Sequence, residues 1–455
     1  MSDMTMAQAV EIAMELVGQG VVVGEVNSAR NLRWANSALT TNGDTIDQSL
    51  SIAAFVDTTE GVASGISSGQ VRTRDDIVAL VEASKASARA AGAAQDAMEL
   101  VAGPVHDDFA LAAPAVVNDG LAELAPQLGD AFSQGEFFGY AEHSQDTMYV
   151  ATSAGTRMRF SQATSRFELC AKSVERDRSA WSGQSGTTLT DVSVAEHALT
   201  VLRGLEHQKN RIEHDPGQHT VTLSSSAMAD LMIYLLWSAT AREAHEGRSV
   251  FSNPMGGTRI GEQLSKRKIT IATDPRLRGL ETYDHVVNLG SSSMSSSFDT
   301  GLAIPRAEII RDGQLESLGS SRQAAAEAGL PFTPLSDNID VHDKAGHGSL
   351  DELAARMHDG LLITCLWYIR EVDPQSLLLT GLTRDGVYVV KNGEIIGAAN
   401  NFRFNESPVG ILSRITDAGD SVNCLPREWA DWFARARVCP VTIDQFNLST
   451  RSDAV

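Results

Sequence analysis

Apolar residues recur at helical spacing from Met6 to Val17, and the pattern predicts a helix that ends near Gly18-Gln19-Gly20. Val21–Val26 and Leu32–Trp34 are short β-prone runs. Asn42-Gly43 reads as a turn before a strand over Ser49–Val56, and Gly61–Gly69 as a small-residue loop or strand edge. Asp75–Ala91 carries Ile77, Leu80, Val81 and Ala88 on one side and predicts a second helix. Gly103–Ala115 is loop-like. Asn118–Gln134 has a helical pattern with a break expected at Pro126. Phe137–Leu223 then turns strand-rich. Within it, Arg157–Lys172 reads as a pair of strands and Ser173–Asp191 as an exposed loop around Trp181. Val192–Asn210 reads as a helix, and His214–Leu223 as a turn and a strand.

The stretch from Ser224 to Gly261 organises the second half. Its opening serines suit a helix N-cap, and Met228, Leu231, Met232, Leu235, Leu236 and Ala239 trace one continuous apolar face. Charge follows at Arg242, Glu243, His245, Glu246 and Arg248, before a Gly/Pro-rich loop over Asn253–Gly257. One helix is expected over Ser224–Glu246. Beyond it, Arg259–Ala272 reads as a turn into a strand, and Ser291–Ser297 as a flexible surface loop without a Gly-x-Ser-x-Gly elbow. Arg311-Asp312-Gly313 marks a hairpin, and Ser321–Gly329 an Ala-rich helix. Gly360–Ile369 reads as a buried strand. Leu377–Thr380, Val387–Lys391 and Glu394–Ala399 are strands joined at Asp385-Gly386 and Asn392-Gly393. The expectation is an α+β protein. Residues 1–220 would form an N-terminal region of helices and sheet, with a subdivision near residue 100 as an alternative. Residues 221–455 would form a β-rich C-terminal domain.

Composition narrows the functional classes. A chain of 455 residues with 42% hydrophobic and 21% charged residues is ordinary for a globular protein with a large core. A net charge of -21 disfavours nucleic acid and anionic membrane surfaces as partners, because a polyanion gains nothing from counterion release. Cys170, Cys365, Cys424 and Cys439 form no CxxC pair, which argues against a disulfide scaffold or zinc ribbon. The N-terminus lacks a basic n-region and no apolar run reaches membrane-spanning length, so a cytoplasmic location is expected.

A catalytic zinc needs three protein ligands and an open position. None of the 11 histidines belongs to a His-Glu-x-x-x-His string. His214 with His219, and His342 with His347, share that separation, but Pro216-Gly217 and Gly346 interrupt any helix between them; for the second loop, weak metal binding is the alternative to an expected surface solvation. His245-Glu246 begins like a peptidase motif and then runs into Gly247. That suits a helix-terminal cap. Glu243 and Glu246 share a face, where pairing with Arg242 and Arg248 is expected. Trp367, Tyr368, Trp429 and Trp432 are candidate interface or peptide-contacting aromatics, with core the default for the first two.

Three stretches resemble the TldD/PmbA proteins, whose paired subunits form a metallopeptidase. These are RWANSALTTNG at residues 33–43, the Ser224–Gly261 helix region with IGEQL following, and LTGLTRDGVYVVKNGEIIGAANNFRF at residues 379–404. The family's zinc-bearing helix carries His-Glu-x-x-x-His followed by Glu-Gly. Laying Glu246-Gly247 on that Glu-Gly puts the motif on Ser238, Ala239, Thr240, Ala241, Arg242 and Glu243, which hold no histidine. The resemblance is therefore to the PmbA-type (TldE) subunit. It implies a subunit without a catalytic centre or metal of its own. Its partner would be a TldD-like zinc subunit, and unfolded peptides would be cut at the partner's zinc. The family's third ligand is a cysteine in the C-terminal third, about where Cys424 lies. Two alternatives are a self-sufficient peptidase drawing on His245, His285, Cys424 and a carboxylate (Glu246 among them), and a homodimeric binding or scaffold protein.

Overall fold

The computed structural model describes residues 4–116 and 120–452, so the Asn118 start expected for one helix lies outside the described residues. Thr5 opens α1 (Met6–Val17): its hydroxyl accepts from Gln8 N–H at 3.2 Å, and the Gln8 carboxamide accepts from Thr5 N–H at 2.8 Å. Six antiparallel strands follow, β1 (Gly20–Ala35), β2 (Ala38–Thr58), β3 (Gly61–Gly69), β4 (Glu136–Thr152), β5 (Arg157–Lys172) and β6 (Ser179–Gly186), in the order β3-β2-β1-β4-β5-β6. Helices α1 and α2 (Arg74–Ala91) cover Val22, Leu50 and Ile52. Helices α3 (Leu121–Phe132) and α4 (Val194–His207) cover Phe137, Phe167 and Leu169.

Several expectations are corrected here. β1 is one strand, and its hairpin turns at Asn36-Ser37 (φ 51° and 57°), while Asn42-Gly43 lies inside β2 opposite Leu32 and Asn31. Ser37 is fixed there by tertiary bonds, donating to Gly135 O at 2.6 Å and accepting from Phe137 N–H at 3.0 Å. β5 is likewise one strand, laddered to β4 from end to end. The supposed loop over Ser173–Asp191 contains β6, with Trp181 buried. α3 runs through Pro126, held by its buried face of Leu121, Leu124, Leu128 and Ala131.

The remaining strands make two sheets. One runs Gln314–Leu315, Ala307–Arg311, Ile269–Thr273, Ile339–Asp343, Ala436–Val438, Val422–Cys424. The other runs Asp359–Asp373, β7 (Gly217–Leu223), Val441–Ser452, Asn401–Glu406, Leu378–Lys391, Glu394–Ala398. Asp359–Asp373 pairs with both β7 and Leu378–Lys391, which closes five strands into a ring. The β-rich C-terminal half and the α+β class are as expected. No helix among the described residues is long and apolar enough to cross a membrane.

The organising helix is α5 (Ser225–Ser238), capped by Ser224, whose hydroxyl accepts from Ala227 N–H at 3.2 Å and donates to Thr364 O at 2.7 Å. It is buried on every side except at Tyr234, Trp237 and Ser238, so the single apolar face read from spacing is in fact part of a core helix exposed only towards its C-terminal end. Leu231, Met232, Leu235 and Leu236 each contribute about 1.5–3 kcal/mol by leaving water. The single helix expected to Glu246 is also corrected. Thr240 is extended and bridges to Gly319, with Ala241 N–H on Gly319 O at 2.9 Å and Gly319 N–H on Ala239 O at 2.8 Å. A separate short α6 (Ala241–His245) follows. A Cβ at Gly319 would stand 3.3 Å from Ala239 O, tighter than an ordinary contact, so glycine suits this approach.

Three further corrections concern local detail. Asp385-Gly386 is an irregularity within the continuous strand Leu378–Lys391, although both residues have positive φ, whereas Asn392-Gly393 makes the expected turn. Tyr368 is 55% exposed and Trp367 half-buried, so neither is a simple core residue. In the serine run, Ser296 and Ser297 are buried, and Ser291 and Ser296 each donate to Asp96 Oδ2 at 2.5 Å, which ties the run to the N-terminal half.

Candidate functional site

The C-terminal end of α5 opens on a cleft of about 770 Å³, walled by Tyr234, Trp237, Trp429, Glu243, Arg370 and Glu371. The helix places Tyr234 and Trp237 one turn apart, and Trp429 packs between them with ring centroids 5.8 and 5.0 Å away. Glu243 accepts from Thr240 Oγ1 at 3.2 Å. The arginines are committed elsewhere: Arg370 pairs with Glu428 at 3.0 Å, and Arg248 pairs with Glu246. Burial, then the charges of Glu243 and Asp373, hold the Glu371 carboxyl above its ordinary range. Burial and then Glu371 do the same for the Tyr234 phenol. The cleft thus joins an aromatic wall to a pair of carboxylates, an arrangement that can hold apolar side chains and take up a proton.

The structure separates the residues singled out from sequence. Ser238 closes α5 and donates back to Tyr234 O at 2.9 Å, Ala239 and Thr240 form the break, and Arg242 reaches Gln323 at 2.5 Å. His245 and Glu246 are exposed, Glu246 in its pair with Arg248. Cys424 is buried at the other end of α5, its Sγ 3.6 Å from Ser225 O, and burial pushes its thiol far up. A helix of 14 residues therefore lies between Cys424 and Ser238, about 20 Å at 1.5 Å per residue. His285 bonds to Asp284 at 2.8 Å and lines a different cavity of about 310 Å³ with Tyr283 and Asp337. His342 contacts Asp340 at 3.3 Å and His347 points to Ala345 O. The His214 and His219 rings, by contrast, meet at 3.3 Å. Among the described residues no group of three or more His, Cys, Asp or Glu is placed to hold a metal ion. Residues 238–246 do not fit a tetrahedral zinc: His245 is the segment's one imidazole, Glu246 is paired with Arg248, Glu243 accepts from Thr240, and the thiol is a helix length away.

Sequence reading missed the strut that shapes this cleft. Asp230 is fully buried within α5, and burial holds its carboxyl well above the ordinary range. It accepts from Glu428 N–H at 3.1 Å, and its backbone carbonyl accepts from Trp429 Nε1 at 2.8 Å. Glu428 in turn accepts from Tyr368 and Ile369 N–H at 2.8 and 3.1 Å, capping a bulge in Asp359–Asp373 where Tyr368 has φ 54°. Next along, Arg427 lies between the Trp181 and Trp367 rings, 5.1 Å from each, pairs with Asp385, and approaches Cys365 Sγ at 2.9 Å. Burial pushes the Cys365 thiol up to about 12. The one signal available in sequence was a lone acid, Asp230, in an otherwise apolar run.

The sequence model of the PmbA/TldA metallopeptidase C-terminal domain matches residues 216–450. No curated protein sequence matches the chain. Among solved structures, TldE from Thermococcus kodakarensis is similar at TM-score 0.72 and 12% identity, over 96% of this chain and 98% of that one. A proposed modulator of DNA gyrase from Bacteroides thetaiotaomicron is similar at TM-score 0.73 and 13% identity, over 97% and 98%. Another from Thermotoga maritima gives 0.70 and 14%, over 97% and 99%. At such identities these likenesses speak to the fold alone, and they agree with the α+β architecture above. The domain match spans more than half of the chain, and on that ground the protein belongs to the TldD/PmbA family.

Proposed function

We propose that this chain is the non-catalytic, TldE/PmbA-type subunit of a two-subunit cytoplasmic metallopeptidase that degrades or processes unfolded peptides. The zinc would reside in a TldD-like partner carrying His-Glu-x-x-x-His, and this chain would contribute wall to the chamber in which extended peptides are held. One observation supports the reading most: Cys424 and the Ser238–Glu246 segment, the positions the resemblance assigns to the ligands, sit at opposite ends of α5. Strands that capture peptides by backbone pairing select weakly for sequence, which suits a degradative role. The aromatic wall of Tyr234, Trp237 and Trp429 suits contact with peptide side chains.

The test is co-expression with a homologue bearing the histidine motif, followed by casein or peptide cleavage assays of each chain alone and of the pair. Activity confined to the pair and abolished by a chelator is expected. Chelator-sensitive cleavage by this chain alone, with stoichiometric zinc, would reverse the assignment in favour of a self-sufficient peptidase. Stable homodimers that neither bind the partner nor support cleavage would favour a scaffold.

A further inference from the structure

We propose that His214 and His219 form a bidentate chelating site for a late transition-metal dication such as Zn²⁺, Ni²⁺ or Cu²⁺, on the surface where the chain enters β7. The residues between them, Asp215-Pro216-Gly217-Gln218, turn the chain back on itself, with Gly217 at φ 150°. The turn brings the two rings to a centroid distance of 4.7 Å and sets His214 Nε2 3.3 Å from His219 Nδ1. Two nitrogens each about 2.0–2.1 Å from a tetrahedral ion stand about 3.3–3.4 Å apart, so the pair already has the bite that such an ion requires.

The His219 tautomer is set for it. His219 Nε2 lies 2.9 Å from Asp215 O, and a carbonyl only accepts, so Nε2 carries the proton and Nδ1 turns its lone pair towards His214. This is the support a metal-bound imidazole ordinarily receives from a backbone carbonyl. His214 Nε2 then donates to His219 Nδ1 in the metal-free pair. Binding replaces that proton by the ion: it moves to His214 Nδ1, the lone pair of Nε2 goes to the metal, and no net proton is lost from the neutral pair.

Both backbones are anchored. His214 N–H donates to Asn400 Oδ1 at 3.2 Å, its carbonyl accepts from Arg451 Nε at 3.2 Å, and His219 is paired with Phe446 across the sheet. Arg451 is shared between Asp215 at 2.9 Å and Glu213 at 3.6 Å, two carboxylates paired with one guanidinium among the described residues. Both imidazoles are half-buried, which leaves the remaining coordination positions to water or to a donor from another molecule. Two nitrogen donors select borderline ions over Mg²⁺ and Ca²⁺, with Cu²⁺ the tightest. His342 and His347 repeat the five-residue separation without the geometry, since each ring is turned to its own neighbour, and they supply the internal control.

The experiment uses the untagged full chain, stripped of metal, titrated calorimetrically with Zn²⁺ and Ni²⁺ beside His214→Gln, His219→Gln and His342→Gln. One equivalent should bind to the parent and to His342→Gln with equal affinity. His214→Gln and His219→Gln should each weaken it by about tenfold or more, because the second arm meets an already held ion at high effective concentration. Imidazole ¹⁵N spectra of the parent with Zn²⁺ should show His214 changing tautomer, a readout that needs no variant. Absence of one-equivalent binding, unchanged affinity in either variant, or no tautomer change would each overturn the proposal.

Discussion

Removal of the Arg427 side chain should weaken the protein by a large fraction of its total stability. Arg427→Met keeps the length and apolar stem of the side chain but deletes the charge between Trp181 and Trp367 and leaves Asp385 buried without its counter-ion. Breaking a buried pair from one side costs about 3–5 kcal/mol, and two partly desolvated ring contacts add about 1–2 kcal/mol. The expected loss is about 4–7 kcal/mol, set against a typical total of about 5–15 kcal/mol. Guanidinium unfolding followed by tryptophan fluorescence measures it, with circular dichroism confirming a folded baseline. The decisive comparison is the double-mutant cycle with Asp385→Asn. In the Arg427→Met background, Asp385→Asn should restore about 2–3 kcal/mol, because the uncompensated charge is most of the damage. A coupling energy near zero, or a loss below about 1 kcal/mol for Arg427→Met, would refute the clamp. The pH dependence is a second check. Burial pulls the Asp385 carboxyl upwards, but the Arg427 charge and the hydrogen bonds from Ser179 and Arg427 override it and hold it below the ordinary range. A depressed carboxylate contributes stability above its unfolded pKa of about 3.9, lost as pH falls towards the folded value. The parent should therefore lose more stability than Asp385→Asn on acidification below about pH 4.

Asp230 predicts the opposite sign. Its carboxyl is raised by burial, so the unfolded chain ionises first as pH rises past about 3.9 and drains stability from the fold. Asp230→Asn keeps the acceptor for Glu428 N–H, and its melting temperature relative to the parent should rise between pH 4 and pH 8; a flat difference would show that Asp230 is ionised in the fold. Glu428→Ala leaves the Tyr368 and Ile369 N–H groups without their acceptor and should cost about 2–3 kcal/mol. Hydrogen exchange should speed up first at those two amides, and exchange no faster there than in the parent would dismiss the strut.

Legibility in the sequence followed distance along the chain. α1, α2, the Arg322–Ala328 helix ended by Gly329 and the Asn392-Gly393 turn were all readable, because caps, helical spacing and positive φ are settled by neighbours a few residues apart. The same local rules misplaced the first hairpin at Asn42-Gly43. They could not know that Gly135 and Phe137 hold Ser37 in the turn. They also misread β6, whose buried Trp181 donates to Glu168 on the neighbouring strand and lies under Arg427 from the far end of the chain.

What the amino-acid string determined alone was composition: an acidic chain, an α+β alternation, and a family-like helix in which the His-Glu-x-x-x-His pattern is missing. Only the tertiary structure decided that α5 is enclosed except at Tyr234, Trp237 and Ser238, that the chain leaves the helix to pair with Gly319 at Thr240, and that Cys424 stands at its opposite end. Asp230 and Glu428 meet across 198 residues of sequence, and Arg427 and Asp385 across 42. Such contacts depend on how sheets close and pack, and burial then sets the charge state of the groups they enclose. No spacing rule within a single segment contains that information.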